Sequence, residues 1–145
     1  MRRNQSPIVL FNGVGATGWS EPIFIGDWRH KIITLGVTGQ DNASDTIVVQ
    51  FATSDGISAG VKTTPTFTSA ATYANMWDYD RVTNKNSKTT ITADTGFTFT
   101  NSNTVERFIM EDDASQWLAC NLSTYTDSSG LGLLYGHISL TNDAE

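Results

Sequence analysis

One cysteine, two histidines, three prolines and nine basic residues are few for a chain of 145 residues, and each scarcity excludes a kind of chemistry. Cys120 alone cannot close an intramolecular disulfide, so the chain reads as one folded in a reducing cytoplasm. His30 and His137 both fall in strand-like stretches, without cysteines or carboxylates at zinc-binding spacing, which leaves no metal motif. The balance of nine Lys and Arg against fifteen Asp and Glu gives a net charge of −6. Only Arg2 and Arg3 cluster, and neutralising a phosphate backbone takes many more; no nucleic-acid partner is expected. Long apolar runs are missing too. Ile8 to Phe11 falls far short of the ~20 residues of a membrane span and is too short for the apolar core of a secretion signal. No membrane partner and no signal peptide are expected.

Helical patterning is also absent. Apolar residues nowhere recur at helical spacing over about eleven residues without glycine or proline intervening. The sequence is instead rich in 21 Thr, 13 Ser and 10 Asn, a composition suited to strands and turns. Alternation is clear from His30 to Val37, with Ile33, Leu35 and Val37 on one face, and from Thr46 to Ala52, with Ile47, Val49 and Phe51 facing a core. Phe97 and Phe99 alternate with Thr98 and Thr100, as in a sheet wet on one side. Further strands are expected around Pro22–Ile25, Trp77–Val82, Thr89–Thr92, Val105–Met110, Gln116–Thr124 and Leu131–Leu140, the last two joined by the turn signal Asp127-Ser128-Ser129-Gly130. Asn84 to Lys88 reads as a polar turn. Residues 53–74 read as a long loop with one short strand near Phe67.

The expected fold is therefore all-β: an antiparallel β-sandwich, jelly-roll-like, of about eight to ten short strands. Residues 1–7 form a polar N-terminal arm ending at Pro7, residues 8–141 a single β-sandwich domain, and residues 142–145 an acidic tail.

Motifs for chemistry fail on context. Gly13-Val14-Gly15-Ala16-Thr17-Gly18 matches the dinucleotide fingerprint, but the following Trp19-Ser20-Glu21-Pro22-Ile23-Phe24-Ile25 is strand-like, and a pyrophosphate there needs a helix N-terminus. No cofactor is expected. Cys120 alternates with Leu118 and Leu122, which points to a buried, inert thiol, and no nucleophile elbow is present. Glu111-Asp112-Asp113 could offer oxygens to calcium but reads as a solvated turn. Scattered carboxylates such as Asp78 and Asp80, which share a strand face, could serve as a pair in a glycan-cleaving enzyme; no enzyme is expected. Four tryptophans are many for one small domain. Trp117 is assigned to the core, while Trp19 and Trp28 flank loop signals and are candidates for partner contact.

The run Asn12-Gly13-Val14-Gly15-Ala16-Thr17-Gly18, the segment Asn75-Met76-Trp77-Asp78-Tyr79 and Gly96-Phe97-Thr98-Phe99-Thr100 resemble small β-sandwich virion proteins of tailed bacteriophages, of the capsid decoration or cement type. The resemblance implies a structural protein made in the host cytoplasm and resident on the virion's capsid surface. Its partners would be the major capsid protein and copies of itself, as a homotrimer or homodimer. Arg2 and Arg3 could reach an acidic capsid subunit, with Trp19 and Trp28 as further contacts. A second reading is a carbohydrate- or receptor-binding module of a tail or fibre, in which Trp19, Trp28 or Tyr73 would stack on a glycan.

Overall fold

The computed structural model describes residues 3–67, 72–73, 76–80, 85–91, 96–100, 105–110 and 115–142, the side chains of 3–5, 58, 72–73, 76–80 and 85–91 excepted. Fourteen strands occupy them: β1 (Arg3–Val14), β2 (Gly18–Trp19), β3 (Ile23–Phe24), β4 (His30–Thr38), β5 (Thr46–Ser54), β6 (Ile57–Ser58), β7 (Val61–Lys62), β8 (Thr72–Tyr73), β9 (Met76–Asp80), β10 (Lys85–Ile91), β11 (Phe97–Thr100), β12 (Val105–Met110), β13 (Trp117–Thr126) and β14 (Leu133–Asn142). Among the described residues there is no helix.

All pairing is antiparallel. One sheet, here sheet A, has the order β1-β14-β4-β12-β9-β10; sheet B runs β11-β5-β13-β2, with β3 also on β13 and β8 also on β5. A separate two-stranded hairpin pairs β6 with β7. The partners nest: β1 pairs β14, β2 and β3 pair β13, β4 pairs β12, and β5 pairs β11. A long double ribbon folded over itself into two sheets gives this order, the jelly-roll arrangement. Strands β6 to β10 are an insertion between β5 and β11.

The two sheets bury their facing sides against each other. Ile33, Leu35 and Val37 of β4 and Ile47, Val49 and Phe51 of β5 are buried, as the alternation predicts. Leu118, Cys120 and Leu122 of β13 and Leu134, Ile138 and Leu140 of β14 complete the layer. Phe108 lies at its centre, its ring centroid 5.0 Å from that of Phe51 and 5.1 Å from that of Phe97. Burial pushes the Cys120 thiol pKa far up, which makes it the inert thiol that its neighbours suggest.

Four expectations need correction. The arm over residues 1–7 is strand from Arg3 onward, because β14 continues to Asn142 and supplies partners for residues 3–5. Pro7 is tolerated at the register shift between Gln5 and Ile8, where the ladder is already interrupted. Of the polar stretch read as a turn over Asn84 to Lys88, Lys85 to Lys88 are strand, since β10 begins at Lys85 and pairs with β9, while Asn84 lies outside the described residues. Residues 53–74 hold β6, β7 and β8; Phe67 is not in a strand, yet it is buried. The strand count exceeds eight to ten because five of the fourteen, β2, β3, β6, β7 and β8, are two-residue pieces, too short to show a period.

Candidate functional site

The outer face of sheet B carries the most distinctive side chains. Since Leu118, Cys120 and Leu122 point into the sandwich, Trp117, Ala119 and Asn121 must point out. Register carries that face across the sheet: Trp117 pairs with Phe24 of β3, Asn121 with Trp19 of β2, and Ala119 with Ala52 of β5. Two alanines in the middle leave a shallow floor. On it Phe67 packs with Trp19, their ring centroids 5.7 Å apart, and Phe67, Ala52 and Ala119 form a small second core. Trp117 meets Phe24 edge to face at 5.3 Å, a favoured aromatic geometry.

The segment 63–67 crosses this floor and leaves a cleft on either side. One cleft, of about 290 Å³, lies between Trp117 and the β6–β7 hairpin, with Asp55, Lys62 and Thr64 on its walls. The other, of about 430 Å³, runs from Trp19 and Glu21 to Thr64 and Thr66. Thr64 borders both. The hairpin wall is held by the Thr63 N–H donating to Gly56 O at 2.7 Å and by Ile57 N–H donating to Asp55 Oδ1 at 3.0 Å. Ile57 and Val61 stand exposed on it.

A carboxylate group sits at one end of sheet B, where β5 begins and β13 ends. Asp41, Asp45 and Asp127 bring one oxygen each to within 4.8 Å of one another. Asp45 is buried and accepts the N–H groups of Asp41 and Asn42 at Oδ2, both at 3.1 Å, and that of Ser128 at Oδ1 at 3.3 Å. Asp127 accepts from Ser129 N, Ser129 Oγ and Gly130 N at Oδ1, and from Gly132 N at Oδ2. Partial desolvation acts to raise the Asp127 pKa, but the bonds from Ser129, Gly132 and Gly130 outweigh it and hold the carboxyl below its ordinary range. Nearby, Tyr125 donates to Gly132 O at 2.6 Å, and desolvation followed by the Asp127 charge pushes its pKa up. These carboxylates fasten two loops, 41–45 and 127–132, by accepting backbone donors that strands leave unused.

Of the contact candidates among the described residues, Trp19 belongs to the aromatic face. Trp28 is half-buried and packs against the main core. Arg3 lies in β1 opposite Asn142, whose side chain accepts from Arg29 N and donates to Asp27 O, both at 2.7 Å. That brings the Arg3 backbone and the turn carrying Trp28 to one corner, and does not join them to Trp19. Arg2 and the acidic run Glu111-Asp112-Asp113 lie outside the described residues. Asp78 lies on β9 in register with Phe108, and Asp80 with Lys85. Trp117, assigned from sequence to the core, is on the outer face. Its odd position beside core residues 118, 120 and 122 was the signal for it.

No family model matches the chain, and no curated protein matches it. Among solved structures, the crystal structure of the SPBc2 prophage-derived protein YomS is similar, with a TM-score of 0.54 and 8% sequence identity over 98% of this chain and 96% of that one. At that identity the likeness is one of fold.

Proposed function

We propose that this chain is a non-catalytic structural protein of a tailed-phage particle, of the capsid decoration type, which binds the outside of the head and braces neighbouring capsid subunits. The observation that carries the reading is the full-length likeness of fold to a prophage-derived protein. Physical features support it. The net charge of −6 would keep a crowded particle surface soluble. Three sheet edges are blunted against the addition of a foreign strand: β1 carries three register shifts and Pro7, β2 and β3 have two residues each, and β11 has four. Binding is thereby directed to faces and loops. The major capsid protein and further copies of this chain are the partners, and the capsid surface is the location.

The test is sedimentation of the native protein from a lysate that contains the particles. Travel with a megadalton species that survives moderate salt is the expected result. Recovery only as a small free species would remove the assignment.

A further inference from the structure

We propose that the two adjoining clefts on the outer face of sheet B bind a neutral oligosaccharide. The site is independent of the virion reading, since it stands on the local chemistry of that face.

The register of sheet B puts Trp19, Phe24 and Trp117 on one side, none of them fully buried, away from the main core. Aromatic faces carry partial negative charge, and the C–H groups on one side of a pyranose ring carry partial positive charge, so the two stack. The rim supplies the rest of what a sugar needs. Thr64 and Thr66 are exposed and border the clefts, and a hydroxyl can both donate and accept, matching the hydroxyls of a sugar. Charge selects the class. Asp55 and Lys62 offset each other in the first cleft and Glu21 is the acid of the second, so a sulfated or uronic chain would meet no net positive field, while an uncharged one loses nothing. Size fits as well: clefts of about 290 and 430 Å³ fall near the lower range of ligand sites. Because Thr64 borders both, a ligand of several rings would pass over it from Trp117 toward Trp19. A protein partner would meet a face divided by the 63–67 segment into two concavities, whereas an extended sugar chain can follow them.

The measurement is a titration of the ¹⁵N-labelled full chain with neutral oligosaccharides (cellotetraose, maltotetraose, mannotetraose and chitotetraose), followed through the tryptophan indole N–H signals. At least one sugar should move the Trp117 and Trp19 signals saturably and leave that of Trp28 in place. Thr64→Arg, an exposed change that should leave the remaining spectrum native, should weaken that binding by about tenfold or more. The proposal is overturned by silence across the panel at millimolar sugar, by shifts centred on Trp28, or by binding that Thr64→Arg leaves unchanged. Concentration-dependent self-association abolished by Thr64→Arg, without sugar binding, would overturn it too and give the face to a second copy of this chain. Particle sedimentation reads none of these outcomes, so the two assignments fail separately.

Discussion

The indole of Trp117 occupies the space that a side chain at Gly56 would need: a Cβ built there would lie 2.6 Å from both Cδ1 and Nε1 of the ring. Gly56 also has φ +69°, in the left-handed region. Backbone conformation and steric room thus meet at the one residue that seats the tryptophan beneath the β6–β7 hairpin. Gly56→Ala should destabilise the fold by about 1–3 kcal/mol and shift the tryptophan emission, as the ring is pushed toward solvent. Denaturant titration with both readouts checks it, and an unchanged emission maximum would mean that Gly56 does not seat the ring.

The hairpin beside it turns on Ala59 and Gly60, with φ of 50° and 78°, between Ser58 and Val61, which pair. Two successive positive φ values define the tight hairpin turn that favours Asn-Gly. Alanine is strained there. Ala59→Asn should raise stability by up to about 1 kcal/mol, measured as a rise in the denaturation midpoint with no change in slope.

Phe108, on β12 of sheet A, packs against the rings of Phe51 and Phe97 on sheet B and is completely buried. Phe108→Ala should cost about 3–5 kcal/mol, which would unfold a large share of a domain of ordinary stability. Phe108→Leu, which keeps most of the volume, should cost much less. Equal loss in the two variants would show that the site is not packed as described.

Asp127 ties the 127–132 turn through its ionised carboxylate, and its pKa is held below the ordinary value. A carboxyl whose folded pKa is depressed lends stability above its unfolded pKa and loses it as pH falls through the folded one. Stability should therefore drop on acidification below about pH 4. In Asp127→Asn that part of the drop should be missing. Urea midpoints at several pH values compare the two, and parallel pH profiles would dismiss the contribution.

Much of the sandwich was legible because alternation is a strong signal where one strand face is buried. The runs around Ile33, Ile47 and Leu118 each show it, and each strand lies where it was expected. Of the two-residue strands, β3 lies within the strand expected around Pro22–Ile25, but Gly18-Trp19 and Ile57-Ser58 left no such trace, since they are too short to have a period and are set by their neighbours. Residues 3–7 failed for another reason: their pairing depends on how far β14 extends, more than 130 positions away, which no local pattern records. The candidate site was half legible. Trp19 was identified, but Trp117 was assigned to the interior by residue type, against the parity of Leu118 and Cys120. The clefts themselves depend on where the 63–67 segment crosses sheet B, and a Thr-rich, proline-broken stretch carries no signal for its own placement.

The nesting of the ribbon also governs when the fold can exist. Since β1, among the described residues, pairs with β14 alone, it has no ladder partner until β14 has been made. Loop closure over such separations is slow to repay, and fragments that stop before β14 leave a twelve-residue strand with an open ladder. Truncation at that point should yield a chain that aggregates rather than a smaller folded domain, so the sandwich closes only once β14 is present and not piece by piece before it.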